Sequence, residues 1–269
     1  MKKNKLGMAN EMSKKRRKRM KRMITGLVGC CLFLCSPIPA GAKDYDKAVY
    51  DRTRWEEIQK DYLPTKTDRL IFVKYQGGTH ATVEMWKKGK CVKTPFFDLA
   101  SESVSAAEYK EQEDTIDWEQ IVSCRAYVGE NGLYKVKQGD RKTPVGIYNI
   151  TMAFGRKKSP GTAGISYTKL NKYHYWSSER ATYNRFVDVR TLNRTWMRGE
   201  HLINYDPDYN YALAMDYNKK CTYLKGSAIF LHCFGTDEYT AGCIAVSEED
   251  MKTIVQNTTV HTKICIYRE

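Results

Sequence analysis

The part of this chain best equipped for covalent chemistry reads Ile229-Phe230-Leu231-His232, then a loop, then Thr240-Ala241-Gly242-Cys243-Ile244-Ala245. The apolar run predicts a strand that delivers His232 at its end. Cys243 follows eleven positions later, behind a glycine turn and ahead of a helix. A thiol attacks a carbonyl as its thiolate, and a neighbouring imidazole or a helix N-terminus draws its pKa down toward the ion pair. Gly242 allows a sharp turn there, so the backbone amides of Gly242 and Cys243 can converge on a developing oxyanion. The same pattern also fits a strand-end histidine and an inert buried thiol. Residue types and spacing alone support both readings equally.

Several elements must position that pair. Arg69-Leu70-Ile71-Phe72-Val73-Lys74-Tyr75 and Ala81-Thr82-Val83-Glu84-Met85-Trp86, joined through Gly77-Gly78, read as a β-hairpin. Further strands are predicted at Ala126-Tyr127-Val128, at Val145-Gly146-Ile147-Tyr148-Asn149-Ile150 and over residues 211–217, 228–233 and 264–267. Ser247 caps a helix running to about Gln256, with Asp250 at the third position of a capping box. Residues 43–67 read as a short lead-in helix and linker, with Trp55, Ile58 and Tyr62 at near-helical spacing and Pro64 ending it. Residues 98–117, rich in Ser and Glu, read as a surface insertion, and residues 155–200 as long crossing loops with short ordered pieces. The expected domain over residues 68–269 is mainly β, with few helices and long loops.

Charge is unevenly placed. The chain has 45 basic and 31 acidic residues, but residues 1–42 hold eleven of the basic ones and a single acid, Glu11, so the remainder carries 34 against 30. A net charge of +4 there gives no reason to expect a nucleic-acid partner. The leading block KKRRKRMKRM, the apolar run over residues 23–35, and Ala40-Gly41-Ala42 have the order of a secretory signal peptide cleaved after Ala42. An uncleaved anchor and lipidation at Cys30 are the alternatives. The apolar run is shorter than the roughly 20 residues of a spanning helix, and each alternative places the domain outside the cytoplasm.

Beyond residue 42 stand Cys91, Cys124, Cys221, Cys233, Cys243 and Cys265. With Cys243 free, five remain, and at most two disulfides can form. No CxxC pair occurs, so a structural zinc site is not expected; no cofactor is expected either.

A second segment strengthens the catalytic reading. Thr240-Ala241-Gly242-Cys243 resembles the Ser/Thr-x-Gly-Cys signature of L,D-transpeptidase (YkuD-like) catalytic domains. Gly139-Asp140-Arg141-Lys142-Thr143-Pro144-Val145-Gly146-Ile147-Tyr148 is similar to the Gly-Asp-x-x-Thr-Pro-x-Gly-x-Phe/Tyr segment that precedes it in that family. Met152-Ala153-Phe154-Gly155, Tyr183-Asn184, Tyr217-Asn218 and the stretch from Gly226 to His232 resemble the branch with a short His-to-Cys loop. The resemblance spans residues 68–269.

It implies a β-sandwich-like fold and a cysteine that attacks the carbonyl of the L-centre diamino acid in a peptidoglycan tetrapeptide stem, releasing D-alanine. The acyl group then passes to an amine on a neighbouring stem or to water. Carried over, Cys243 is the nucleophile and His232 the base, its ring oriented by a backbone carbonyl. Two departures stand out. Ala241 replaces a histidine of many relatives, and Ala245 replaces an arginine, which removes a usual partner for the substrate's negative charge. Arg185 and Arg156 are candidate replacements, and Thr240, Tyr183 and Asn184 are further candidate substrate contacts. Thr143 and Pro144 are expected to shape the strand entry beside the cleft. The aromatics Tyr173, Tyr175, Trp176, Tyr183 and Trp196 fit a lid, a sugar platform or core packing. Competing functions are an L,D-carboxypeptidase at the same site, a non-catalytic wall-binding module and a metal-dependent hydrolase. The oligomeric state is left open.

Overall fold

A computed structural model describes residues 53–89 and 118–269. The expected leader, Cys91 and the expected insertion at 98–117 lie outside the described residues. The fold is mainly β, as expected, with two α-helices among the described residues. Helix α1 (Thr53–Tyr62) leads into the hairpin β1 (Arg69–Gly77) and β2 (His80–Lys88), followed by β3 (Trp118–Tyr127), β4 (Gly146–Gly155) and β5 (Tyr167–Lys169). Three short strands, β6 (His174–Ser177), β7 (Phe186–Asp188) and β8 (Gly199–His201), precede β9 (Ala212–Met215), β10 (Phe230–Cys233) and β11 (Ile244–Val246). Helix α2 (Glu248–Asn257) and β12 (Thr262–Arg268) complete it.

The main sheet runs β12-β1-β2-β3-β11-β10-β9-β4-β5, and β12 also pairs with β4. Eight strands therefore close into a barrel-like ring with β5 on its rim. A separate sheet, β7-β6-β8, forms inside the stretch expected to be loops.

Period-2 alternation sorts the core. Leu231 and Cys233 of β10, with Ile244 and Val246 of β11, face the main interior with Met251, Ile254 and Val255 of α2. Phe230 and Cys243 pack on the other side with Phe154, Trp176, Leu202 and Tyr209. Ser247 caps α2 as expected, its hydroxyl accepting the Asp250 N–H at 3.1 Å. Strand β3 begins well before the expected Ala126, because the exposed Glu119, Gln120, Ser123 and Arg125, with a register shift opposite Met85 and Trp86, break up the strand's apolar pattern.

Helix α1 buries Trp55, Ile58 and Tyr62 against Leu70, Phe72, Cys265 and Tyr267, with the Trp55 and Phe72 rings 5.0 Å apart. Ile58 is wholly buried, so Ile58→Ala leaves a cavity costing about 2–4 kcal/mol. Urea unfolding is expected to show that loss, and an unchanged midpoint would mean that α1 contributes nothing to the domain's stability.

Candidate active site

Strands β10 and β11 run parallel, with Leu231 beside Ile244 and His232 beside Ala245. Continuing that register back by one residue sets Cys243 beside Phe230. Paired residues of a parallel ladder share a face, and residues two apart along a strand share it too. His232 and Cys243 therefore stand diagonally on one side of two adjacent strands. Both line a cleft of about 440 Å³, and both are almost fully buried.

The sulfur sits in a tight hydrogen-bond frame. Cys243 Sγ–H donates to the Ala228 carbonyl at 3.1 Å, and Sγ accepts the Phe230 N–H at 3.3 Å. Burial pushes the thiol up to about 12, and the negative charge of Glu200 adds to this while the Phe230 amide opposes it. Burial likewise pushes His232 below the ordinary histidine value, against the pull of its bond to Cys233 and of Asp208. Both shifts favour the uncharged forms. The resting pair is thus a neutral thiol and a neutral imidazole, not the expected ion pair.

His232 Nδ1 lies 2.7 Å from the Cys233 carbonyl. A carbonyl only accepts, so Nδ1 carries the ring hydrogen and Nε2 is left as the basic nitrogen. The Tyr209 ring meets the imidazole edge-on at 5.5 Å and holds its plane. A backbone carbonyl thus orients the imidazole, as the family resemblance implied.

The turn before the sulfur requires its glycine. Gly242 has φ +132, and an added Cβ would lie 2.7 Å from the Lys142 carbonyl oxygen. Two threonines then fix the cysteine backbone: Thr240 Oγ1 donates to the Cys243 carbonyl at 2.7 Å and Thr143 Oγ1 to the same oxygen at 3.3 Å. Thr143 also accepts the Gly129 N–H at 2.8 Å, so the Gly-Asp-x-x-Thr-Pro segment is tied directly to the nucleophile's turn.

Two expectations change here. The Gly242 N–H already donates to Thr240 Oγ1 at 3.0 Å; an oxyanion would have to displace that bond, and the expected two-amide hole is not preformed. Cys243 also leads into strand β11, not into a helix, because Ile244-Ala245-Val246 pairs with β10 before Ser247 starts α2. Among the described residues, the helix that follows the thiol begins only at Glu248, beyond that strand.

Of the other expected contacts, Thr240 lines the cleft, whereas Tyr183, Asn184, Arg185 and Arg156 do not. Tyr183 is buried, its hydroxyl donating to Gln138 Oε1 at 2.8 Å and accepting the Gly226 N–H. The Asn184 amide is consumed by Trp176, Tyr217, Asn218 and Ala228. Arg156 pairs with Asp206 and also donates to the Ile203 carbonyl and Asn210 Oδ1. Arg185 is exposed. Neither arginine replaces the one missing at Ala245. Tyr175 and Trp176 belong to the core, while Trp196 is exposed.

The cations that do line the cleft are Lys135 and Arg141. Lys135 Nζ meets Asp140 Oδ1 at 2.7 Å with both side chains nearly buried. Burial would raise Asp140, but Lys135 and the amides of Lys137, Val136 and Lys142 outweigh it and hold the carboxyl at about 2. Glu200, Asp208 and Tyr209 complete the opposite chemistry. They come from a stretch without hydrophobic period, and nothing in their spacing marks them.

Among the described residues no group of three or more His, Cys, Asp or Glu side chains is placed to hold a metal ion. Cys124, Cys221, Cys233, Cys243 and Cys265 are all free thiols. Cys233, beside the base in sequence, points its thiol to the Tyr211 carbonyl at 3.5 Å.

No curated protein matches the chain. A family model described as the L,D-transpeptidase catalytic domain (YkuD) matches residues 98–266, which is more than half of the 269-residue sequence. With the fold and the Thr-x-Gly-Cys turn already in place, that match is decisive: the chain belongs to the L,D-transpeptidase catalytic domain family.

Proposed function

We propose that the protein is an exported L,D-transpeptidase that cross-links peptidoglycan stem peptides through a Cys243 acyl-enzyme. The family implies a stem peptide as substrate, and the leader-like order of residues 1–42 supports export. The observation that carries the mechanism is the placing of Cys243 and His232 on one face of adjacent strands, within one cleft.

In this reading the thiol releases Ala228 and passes its proton to His232 Nε2 as the sulfur attacks the donor carbonyl. The tetrahedral centre collapses, the C–N bond to D-alanine breaks, and the leaving amine takes the proton back from Nε2. Lys135 and Arg141 are the cleft cations available to meet the donor's carboxylate in place of the absent arginine, but Lys135 already pairs with Asp140 and Arg141 with Glu130, so the carboxylate has to share or displace those partners.

Intact-mass spectrometry after incubation with a carbapenem, whose strained lactam carbonyl is open to thiolate attack, tests the nucleophile. A single adduct mapped to Cys243 and abolished by Cys243→Ala is expected. An adduct that persists in the variant would place the chemistry elsewhere. With tetrapeptide stems, a cross-linked dimer is the expected product, whereas tripeptide alone would make the enzyme a carboxypeptidase. Unchanged wall binding with no product at all would leave a binding module.

A further inference from the structure

The transpeptidase reading leaves a proton unaccounted for. An amine such as the lysine ε-amine has an ordinary pKa near 10.4 and reaches the acyl-enzyme as an ammonium ion, without a lone pair. It must lose one proton to attack and a second as the amide forms. His232 can take only one of them.

Glu200, on β8, lines the same cleft as Cys243 and His232. One of its oxygens, Oε2, accepts the Tyr209 hydroxyl at 2.7 Å, and Tyr209 is the ring that meets His232 edge-on and stacks on Tyr205 at 4.7 Å. The carboxyl is close enough to Cys243 to act on the thiol electrostatically. A carboxyl group partly withdrawn from water, tethered by one oxygen and sharing the nucleophile's cavity, has the chemistry to receive a cationic amine.

We infer that Glu200 is the acceptor-site residue, seating the ammonium group of the incoming amine and removing its first proton. This rests on the transpeptidase reading. The sequence balances: the ammonium gives one proton to the Glu200 carboxylate, and the neutral amine attacks the thioester carbonyl. The C–S bond then breaks, and the nitrogen's second proton passes through His232 to the departing thiolate. Free thiol, new amide and protonated Glu200 result, and Glu200 returns its proton to water.

The groups facing Glu200 suit that task. Burial, and secondarily repulsion from Asp208, outweigh the Tyr209 hydrogen bond and bring the carboxyl to about 7. Asp208, the Cys243 thiol, Tyr205 and Tyr209 are near enough to interact with its charge, and Lys135, Arg141, His232, Asp237 and Tyr239 line the same cleft. Its trading of a proton therefore falls near neutral pH.

Glu200→Gln keeps an oxygen for the Tyr209 hydroxyl and removes only the charge and the base. In the full-length protein, the rate of Cys243 acylation by a tetrapeptide donor is measured by intact mass. Transfer is then measured to two acceptors: a lysine ε-amine, cationic at pH 7.5, and hydroxylamine, neutral at that pH. The variant is expected to acylate faster, because a negative charge beside the sulfur is gone. Transfer to the cationic amine should fall on the order of a hundredfold, lose its rise through pH 7 and give way to hydrolysis. Hydroxylamine should recover most of the loss.

Equal losses with both acceptors would make Glu200 a prop for Tyr209 and overturn the assignment, and so would undiminished transfer to the cationic amine. If the unsubstituted protein forms no acyl-enzyme, or forms one that only hydrolyses, the transpeptidase reading falls and the role of Glu200 falls with it.

Discussion

His232→Gln is expected to slow acylation of Cys243 by about 10³–10⁴-fold at pH 8 and to change the form of its pH dependence. The magnitude follows from the thiol. With the Cys243 pKa near 12, about one molecule in 10⁴ carries a thiolate at pH 8 without a base to take the proton. The intact site bypasses that scarcity by moving the proton to Nε2 as the sulfur attacks, a contribution typical of general bases. In the variant only pre-formed thiolate reacts, so its rate should climb about tenfold per pH unit through the alkaline range.

The intact site should behave differently. His232 is held below the ordinary histidine value by burial, so the base is present through neutral pH and is lost only as pH falls through that lowered pKa. No alkaline limb is expected where an unperturbed thiol titrates, near 8.5. The measurement is best made in the Glu200→Gln background, which removes the carboxyl that titrates near 7. Adduct formation with a carbapenem, followed by intact mass across pH, supplies the profile. Should His232→Gln acylate at the original rate, or keep the original profile, another group is the base.

Much of this site is legible in the residues because its decisive contacts are local or carried by short motifs. Gly242 precedes the cysteine since a Cβ would strike the Lys142 carbonyl, and Thr143 stands where its hydroxyl bridges Gly129 to Cys243. The apolar run that delivers His232 at a strand end shows in Ile229-Phe230-Leu231-His232 itself.

What stayed hidden depends on register and long-range packing. Ile244-Ala245-Val246 is too short a run to distinguish strand from helix, and only pairing with β10 settles it. Glu200 and Tyr209 enter the cleft because β8 pairs with β6 and a short turn at Asp208–Asn210 redirects the chain. The burial that neutralises the Cys–His pair is a property of the whole cleft. A thiolate–imidazolium pair was the natural expectation from two residues considered alone.

Asn184→Ala is the second large effect expected, and it separates support of the site from contact with substrate. The backbone at Asn184 has φ +57, a left-handed conformation that asparagine tolerates better than most residues. Its Nδ2 donates to the carbonyls of Tyr217 at 3.0 Å and Asn218 at 3.3 Å. Its Oδ1 accepts the Trp176 Nε1–H at 3.0 Å and the Ala228 N–H at 3.1 Å.

Alanine removes all four bonds, leaves partly buried partners unpaired and keeps the strained backbone. A loss of about 2–4 kcal/mol in urea unfolding is expected. The functional consequence runs through Ala228, whose carbonyl accepts the Cys243 thiol. With Ala228 no longer anchored, acylation of the folded protein should fall about tenfold, equivalent to about 1.4 kcal/mol, with its pH profile intact because His232 is untouched. Arg185→Ala, at the exposed neighbouring position, should alter neither quantity measurably. Native stability in Asn184→Ala would contradict the hydrogen-bond account, and lost stability with undiminished acylation would sever Asn184 from the nucleophile.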